Sequence, residues 1–454
     1  MIMKWLYSLL TLCLPVFVNA AVVPYPVPTE YISKIYEVEI ISEGQSTPVD
    51  VITDYARWQT NNTKANSWVS FAFEGEIKIR VRSKLKNIDF AQILPRNRNI
   101  KVDVVNSNTV EFTINKAGQY SLEFQQGKFI DYPLFIFADA LPLKVPVNNS
   151  VIVFEKGVHE IGNNYELKSG QTVYLAPGAY VKGIFTANNA KDITITGQGI
   201  LSGEDYAARS ENHMISMRNC DNVLIEGITI INAPRYCVSI NGNNQVCRNL
   251  KMMGWWFSTD GIGVGTNSLI ENCFFKVNDD AIKLYRTNTV AQNCVIWQME
   301  NGAPFQIGWN MTGLNSNFVV QDIDIIRVEH QWDNPNEAVV DAIHGSEGVM
   351  ENYLFEDIRI DNCDFRLIHL MTKPNRFGKW NPEKGELRNF VFRNIECYTQ
   401  PTMQNIIKGH DTKHPVKNIV FENLIINGKI ISNAKEGNFY IDPITSENIQ
   451  FKIK

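Results

Sequence analysis

A five-residue pattern that recurs eight times constrains the fold of this 454-residue chain more than any other feature. The pattern reads apolar, any residue, Glu/Gln/Arg, Asn/Asp/Gly, apolar, and successive copies start 22, 23, 21, 29, 35, 37 and 29 residues apart. The copies start at Leu224, Val246, Leu269, Val290, Val319, Leu354, Val391 and Val420. Repeats of this length with no helical period are typical of a solenoid of short strands stacked about 4.8 Å apart. The sequence therefore predicts a right-handed parallel β-helix, with loops inserted where the spacing is longer.

The region before the repeat has a different texture. Short segments rich in β-branched or aromatic residues alternate with polar turns at Ile77–Val81, Lys101–Val105, Thr109–Ile114 and Tyr120–Phe124. This alternation predicts an antiparallel, Ig-like β-sandwich. We therefore expect an all-β protein with a β-sandwich domain at residues 21–142 and a parallel β-helix domain at residues 143–454.

The first twenty residues have the pattern of a secretory signal peptide. Lys4 supplies a positive charge, Trp5–Val18 is an apolar run, and Val18-Asn19-Ala20 is a cleavage site of small residues. The apolar run is short for a membrane span, and the Leu12 before Cys13 does not fit a lipoprotein signal. We expect a secreted or periplasmic protein that has no membrane span.

Composition and cysteine usage narrow the possible partners. The formal net charge of −5 argues against nucleic acid as a partner. Seven cysteines follow Cys13, and this odd number indicates buried free thiols, while no CxxC pair or zinc-type cluster occurs. In the repeat alignment Cys273 and Cys294 share a position with Leu250 and Ile323, so the four should form one inward stack. We expect no metal and no cofactor.

The same alignment predicts a cluster of carboxylates. Asp260-Gly-Ile-Gly-Val264 matches Asp280-Ala-Ile-Lys-Leu284 twenty residues later, and Asp279 lies beside the second aspartate. Like charges so close raise each other's pKa, so that one carboxyl stays protonated while others stay ionised. Glycoside hydrolysis needs this division between an acid and a carboxylate that activates water. A calcium site and a solvated polar turn are the alternatives, although calcium would require more oxygen ligands.

Aromatic residues in the same coils favour a sugar-binding groove. Flat rings give sugars an apolar platform, and the candidates are Trp255, Trp256, Tyr285, Trp297 and Trp309. Trp297 lies near an apolar position of its coil, which favours a core role for it.

Four polar residues are further candidates for substrate contact. Lys283 and Gln306 occupy equivalent outward positions on adjacent coils and could bind sugar hydroxyls. Asp341-Ala-Ile-His344 repeats the frame Asp280-Ala-Ile-Lys283. Asp341 and His344 therefore either extend the groove or are ordinary polar residues of an inserted loop.

Three segments carry a resemblance to a known family: Gly254-Trp-Trp-Phe-Ser-Thr-Asp-Gly261, Val277-Asn-Asp-Asp-Ala-Ile-Lys-Leu-Tyr285 and Gln306-Ile-Gly-Trp309. They resemble glycoside hydrolase family 49, the dextranases and isopullulanases. The resemblance implies a β-sandwich before a parallel β-helix and inverting endo-hydrolysis of α-glucans, above all α-1,6-glucan. It further implies that Asp279 is the general acid and that Asp260 and Asp280 hold and activate water.

Other function classes remain as alternatives. The wider polygalacturonase-like group shares the Thr-Asp-Gly and Asp-Asp elements, but its Gly-His-Gly and Arg-x-Lys motifs are not found after Asp280. An anionic polysaccharide is therefore the second candidate substrate, and a non-catalytic carbohydrate-binding β-helix is the third hypothesis. A polysaccharide lyase would need a Lys or Arg base. A site built mainly from three aspartates fits that mechanism poorly. All the hydrolase and binding hypotheses have a polysaccharide or oligosaccharide as partner.

Overall fold

The computed structural model describes residues 21–57, 64–85, 87–141, 151–331, 337–374 and 385–454. In these ranges the chain is all-β, with 3₁₀ turns only at Thr29–Tyr31 and Arg96–Arg98. This confirms the predicted fold class. No helix in the described ranges is long and apolar enough to cross a membrane. The predicted signal peptide at 1–20 and the predicted domain boundary at 142/143 lie outside the described residues.

The N-terminal region is a β-sandwich of two sheets. Its strands are β1 (Val22–Pro24), β2 (Tyr36–Ser42), β3 (Gln45–Val49), β4 (Ile52–Tyr55), β5 (Ala65–Phe73), β6 (Ile77–Ser83), β7 (Gln92–Leu94), β8 (Asp103–Asn106), β9 (Thr109–Ile114), β10 (Gly118–Glu123) and β11 (Leu134–Ala140). One sheet has the order β1-β5-β11-β10-β7 with β4 on β5, and the other has the order β3-β2-β6-β9-β8. The pairs are antiparallel except β5 with β11, which is parallel. The alternating segments predicted strands correctly, and that single parallel pair was not predicted.

The second region is a parallel β-helix of thirty described strands. They are β12 (Val151–Phe154), β13 (Gly157–Glu166), β14 (Thr172–Leu175), β15 (Ala179–Asn188), β16 (Lys191–Gly197), β17 (Ile200–Ser202), β18 (Ile215–Arg218), β19 (Asp221–Glu226), β20 (Thr229–Ile231), β21 (Val238–Ile240), β22 (Gln245–Arg248), β23 (Lys251–Met253), β24 (Ile262–Gly263), β25 (Ser268–Glu271), β26 (Phe274–Val277), β27 (Ile282–Lys283), β28 (Thr289–Gln292), β29 (Val295–Gln298), β30 (Phe305–Trp309), β31 (Leu314–Val328), β32 (Val340–His344), β33 (Val349–Ile360), β34 (Ile368–Thr372), β35 (Glu386–Cys397), β36 (Asn405–Lys408), β37 (Val416–Glu422), β38 (Ile425–Ile426), β39 (Lys429–Ile430), β40 (Phe439–Ile441) and β41 (Ser446–Lys452). Strands of successive coils pair in parallel and form stacks, one of which is β18, β21, β24, β27, β30, β32, β34, β36 and β40.

The five-residue pattern lies on the neighbouring stack and explains how a coil is built. Its second position, which the pattern leaves open, is the one that faces the core: Ile225, Cys247, Ile270, Ala291, Val320, Phe355, Phe392 and Phe421 are all buried. The first apolar position is half-buried on the outer face. This follows from the two-residue period of a strand, in which neighbours point to opposite faces.

The fourth and fifth positions of the pattern turn the chain. The fourth residue has a positive φ in the copies, as at Asn272 (φ 55°) and Asn293 (φ 54°), a conformation that Asn and Gly adopt most readily. The fifth residue then enters the core, where Cys273 and Cys294 are buried. Backbone bonds from Phe274 to the carbonyl of Leu250 and onward through the next coils align these positions, which confirms the predicted stack. All seven cysteines of the described residues are buried and free.

An apolar interface fixes the β-sandwich against the β-helix. Sandwich residues such as Trp68 and Phe135 pack with Trp255, Phe274 and Trp297 of the helix in one buried cluster. Because three of these helix residues lie in the coils that carry the predicted aspartates, the sandwich supports this part of the β-helix from the outside.

Candidate active site

Asp260 and Asp280 occupy the same position on successive coils. Strands β24 and β27 pair in the register Ile262 with Ile282 and Gly263 with Lys283, and the amide of Gly261 donates to the Asp280 carbonyl at 2.9 Å. Each aspartate therefore precedes a short strand at an equivalent point of its coil. Both side chains are buried, with 4% of each residue exposed.

Asp279 reaches the same patch because it lies at a bend. Strand β26 ends at Val277 and β27 begins at Ile282, so Asp279 is outside the two-residue alternation of either strand. One of its carboxylate oxygens accepts the amide of Asp280 at 3.0 Å, and its carbonyl accepts the side-chain amide of Gln298 at 3.0 Å. Unlike its neighbours, Asp279 is only half-buried, and its carboxyl is the most accessible of the three.

Gly302 packs directly beneath this bend. A Cβ at this position would lie 2.5 Å from both the carbonyl carbon of Asp279 and the amide nitrogen of Asp280, and its φ is +78°. A side chain here would collide with the backbone that orients both aspartates. The next amide along the chain, that of Ala303, donates to Asp280 Oδ1 at 3.1 Å.

The three carboxylates form a compact cluster bridged by an ammonium. One oxygen from each of Asp260, Asp279 and Asp280 lies within 4.8 Å of the others. Lys283 Nζ donates to Asp280 Oδ2 and lies 3.6 Å from Asp260 Oδ1. The lysine supplies the positive charge that a bound cation would supply in a calcium site, so the geometry favours the acid–base interpretation of the cluster.

Two tyrosines flank the ammonium. Its nitrogen lies 4.9 Å from the ring centroid of Tyr236 and 5.6 Å from that of Tyr285. Cation–π attraction therefore adds to the two carboxylates in holding Lys283, which is 6% exposed. Burial lowers the pKa of Lys283, but the charges of Asp260 and Asp280 raise it well above its ordinary value, so the ammonium persists.

The electrostatics divide the carboxyls into different roles. Burial and then the charge of Asp280 raise the pKa of Asp279 to about 7. Burial and then the charge of Asp279 raise the pKa of Asp260, and Lys283 opposes this rise. When Asp279 takes a proton, its effect on Asp260 disappears while that of the ammonium remains, so a state with one protonated carboxyl is favoured.

Three residues near the trio were not predicted from the sequence. Tyr236 precedes Asp260 in the stack by one coil, and His213 lies next to Tyr236 with ring centroids 4.5 Å apart. Burial, followed by nearby arginines, lowers the pKa of His213 to about 4, so it is neutral near pH 7. Burial and Asp280 raise the pKa of Asp279, and the positive charge of exposed Arg209 opposes this rise. Extending the coil alignment backward from Asp260 would have found Tyr236 and His213, whereas Arg209 lies in a loop outside the repeat.

The candidate aromatic residues separate into two groups. Trp256 and Trp309 are half-buried, and Trp309 adopts a positive φ of 64°. Trp255 and Trp297 are buried in the interface with the sandwich, where their indole nitrogens donate to Asp54 and Glu329. The core role expected for Trp297 is confirmed, and Trp255 is likewise unavailable to a sugar.

Three of the predicted substrate contacts require correction. Gln306 follows Lys283 in the stack as predicted, but Asp341 pairs with Gln306 and not with a position equivalent to Asp280. The Asp-Ala-Ile frames therefore differ in register by three residues, and His344 pairs with Trp309. Gln306, Asp341 and His344 are all 0% exposed, so they lie beneath the groove and do not line it.

Comparison with known proteins supports a carbohydrate-cleaving role. The family model described as "Glycosyl hydrolases family 28" matches residues 180–440. A dextranase of Arthrobacter globiformis is 23% identical over 84% of this chain and 76% of its own length. A dextranase of Talaromyces minioluteus is 31% identical over 47% of this chain and 41% of its own length. The structure of Dex49A from Penicillium minioluteum covers 94% of this chain and 96% of its own, with a TM-score of 0.75 and 18% identity.

A parallel β-helix that brings two buried aspartates and a half-buried third together beside one strand stack belongs to the class of β-helix glycoside hydrolases. The chain belongs to glycosyl hydrolases family 28 as its family model describes it, since more than half of the chain is matched. The predicted membership of a dextranase-like, polygalacturonase-like group of β-helix enzymes is confirmed by this match and by the dextranase relatives.

Proposed function

We propose that this glycoside hydrolase cleaves α-1,6-glucan with inversion, with Asp279 as general acid and Asp260 and Asp280 as the carboxylates that activate water. The observation that carries this proposal is the unequal environment of three carboxyls whose nearest oxygens lie within 4.8 Å. The accessible member has a pKa of about 7, and the two buried members contact the Lys283 ammonium.

The roles follow from what each step needs. Asp279 transfers its proton to the glycosidic oxygen as the bond from that oxygen to the anomeric carbon breaks. A water held by Asp260 and Asp280 forms the new bond to the anomeric carbon and gives its proton to one of these carboxylates. The ammonium of Lys283 contacts both of them and opposes the rise in the pKa of Asp260 that burial causes. Proton return through solvent restores the acid.

The spacing of the carboxyls makes the stereochemistry a demanding test. Inverting enzymes commonly hold acid and base roughly 6.5–9.5 Å apart, whereas retaining enzymes hold acid and nucleophile about 5–5.5 Å apart. The nearest oxygens of the three carboxyls lie within 4.8 Å of one another, so the spacing itself does not indicate inversion. We propose inversion because two stacked carboxylates share one ammonium, an arrangement that is suited to holding a water. The distance between the carboxyls does not enter this argument.

The choice of substrate rests on two observations. The relatives reported above are named dextranases, and the Arg-x-Lys motif expected of a uronate site is not found after Asp280. Dextran, pullulan, polygalacturonate and a sulfated galactan should be incubated with the protein at equal mass, and the products separated by size. Rapid shortening of dextran supports the proposal, while cleavage of polygalacturonate alone would overturn the substrate and leave the acid–base roles to be tested separately.

An anionic polysaccharide is the second candidate, and the family 28 match favours keeping it in the same assay. Against it, the Gly-His-Gly and Arg-x-Lys motifs of the polygalacturonase-like group are not found after Asp280. We further propose that the enzyme is exported, on the strength of the apolar run and small-residue site in residues 1–20.

A further inference from the structure

The coil that carries Lys283 is joined to the next three coils by a single column of polar side chains. Lys283, Gln306, Asp341 and His369 are successive register partners in β27, β30, β32 and β34. Positions in this column would normally point outward from the β-helix. Here Gln306 and Asp341 are 0% exposed and His369 is 1% exposed, so the column is sealed from solvent.

Hydrogen bonds link the side chains of this column and converge on Asp341. The hydroxyl of Tyr285 donates to Gln306 Oε1 at 3.1 Å, and Gln306 Nε2 donates to Asp341 Oδ2 at 2.9 Å. The other oxygen of Asp341 lies 2.9 Å from His369 Nδ1. Because a carboxylate only accepts, it fixes the amide of Gln306 with its nitrogen toward Asp341 and its oxygen toward Tyr285.

The column reaches the catalytic carboxylates through one aromatic ring. Tyr285 lies beside Lys283, and Lys283 in turn contacts Asp260 and Asp280. Asp341 and His369 have no surface through which to contact a sugar. Their hydrogen-bonded link to the carboxylates passes through Gln306 and Tyr285, while the charges of Asp341 and Asp280 also interact directly.

We propose that Asp341 and His369 are positioning residues that orient the amide of Gln306, tether the Tyr285 hydroxyl, and so hold Lys283 between Asp260 and Asp280. The inference rests on the proposed function for the role of those two carboxylates. The tether itself is a property of the fold and does not depend on which glycan is cleaved.

The test compares substitutions at the two ends of the column. Asp341→Leu removes the acceptor that orients Gln306, and Tyr285→Phe removes the tethered hydroxyl while keeping the ring. Asp341→Leu should lower kcat by about 10-fold and leave KM within about 2-fold, since a displacement smaller than 1 Å is expected. In the Tyr285→Phe background, Asp341→Leu should add little, because the link is already broken.

The pH profile separates positioning from general destabilisation. A less firmly held ammonium opposes the raised pKa of Asp260 less, so the acidic limb of kcat should move to higher pH in Asp341→Leu. The other groups that face these carboxyls are Asp279, Tyr236 and Tyr285, whose charges are unaltered, and Asp341, whose own charge is lost in the variant. Loss of that negative charge alone would move the limb to lower pH, so a movement to higher pH reports the loosened ammonium. Asn405→Leu is the matched control, because Asn405 is 1% exposed, lies in the following coil and bonds only to backbone groups. It should lower the thermal midpoint without moving the limb.

A readout that needs no activity keeps this inference separate from the proposed function. Crystal structures of wild type and Asp341→Leu should show the Tyr285 hydroxyl displaced from residue 306 and Lys283 Nζ farther from Asp260. Unchanged positions of Tyr285 and Lys283 would overturn the inference, as would a full additional effect of Asp341→Leu in the Tyr285→Phe background. Absence of dextran cleavage by the wild type would instead overturn the proposed substrate.

Discussion

Asp260 and Asp280 stand one coil apart at equivalent positions of a parallel β-helix, because Ile262 pairs with Ile282 on the strands that follow them. The repulsion between two buried carboxylates is offset by a single ammonium, that of Lys283. The site therefore holds charges that are useful only when a third group, the half-buried Asp279, can carry a proton.

Substitution of the acid should depend on the leaving group. Asp279→Asn removes the proton donor, so we expect activity on natural polymer to fall by on the order of 10²-fold or more. On an aryl glycoside with a good leaving group, which needs little protonation, the loss should be much smaller. Asp260→Asn and Asp280→Asn should be impaired on both substrates. Equal losses for Asp279→Asn on both substrates would contradict the acid role.

The activity should fall as the pH rises through the pKa of Asp279. Burial and Asp280 raise this pKa to about 7, and the acid must be protonated to act. The basic limb of kcat/KM should therefore lie near pH 7 and should be absent from the residual activity of Asp279→Asn on the aryl substrate. A pH profile for both enzymes, measured at constant ionic strength, checks this.

The same pKa predicts a gain in stability when the acid is removed. The folded state binds the Asp279 proton more tightly than the unfolded state, whose pKa is near 3.8, so the unfolding free energy falls as pH rises from about 4 to 7. Asp279→Asn avoids this loss. Its thermal midpoint should exceed that of the wild type at pH 8 and match it near pH 4. A variant that is less stable than wild type at pH 8 would show that the ionised Asp279 does not destabilise the folded state.

A methyl group beneath the catalytic bend should damage the site more than the fold. Gly302→Ala places a Cβ 2.5 Å from the backbone of Asp279 and Asp280 at a φ of +78°. We expect a loss of kcat of at least about 10-fold, since small misplacements of reacting groups are costly. Gly313→Ala is the control, because its φ is also positive (+67°) but no atom lies within 4 Å of its added Cβ. Full activity in Gly302→Ala would refute the packing argument.

The cysteine stack gives a prediction about the fold alone. Cys273 and Cys294 are buried in the core, and burial raises the pKa of Cys294 well above its ordinary value. Both thiols should resist alkylation in the native protein and react fully in denaturant, as followed by mass spectrometry. Rapid labelling without denaturant would contradict the coil alignment.

The repeat predicted much of this structure because each coil repeats one local rule. A residue with positive φ at the turn and an apolar residue after it fix the register, and the register then brings Asp260 over Asp280. Neighbouring strand residues point to opposite faces. Asp279 could therefore share a patch with Asp280 only if a bend lies between the strands.

The positions of residues outside the shared register could not be predicted from the repeat. Asp341 was aligned by a similar tripeptide, but the inserted segment before β32 shifts the register by three residues and moves it into the Gln306 column. The burial of Gln306 depends on groups that cover the outer face of the β-helix. The repeat pattern does not predict which groups these are. Trp255 looked like a sugar platform because the sandwich that covers it is distant in sequence.

The anomeric configuration of the first product tests the central claim most directly. Wild-type enzyme should be mixed with a soluble α-1,6-glucan at high concentration, and proton NMR recorded before mutarotation equilibrates the new reducing ends. The account predicts that β-anomers appear first, because water activated by Asp260 and Asp280 attacks opposite the departing oxygen. If α-anomers accumulate first, one of the closely spaced carboxylates acts as a nucleophile, and the roles assigned to the three aspartates are wrong.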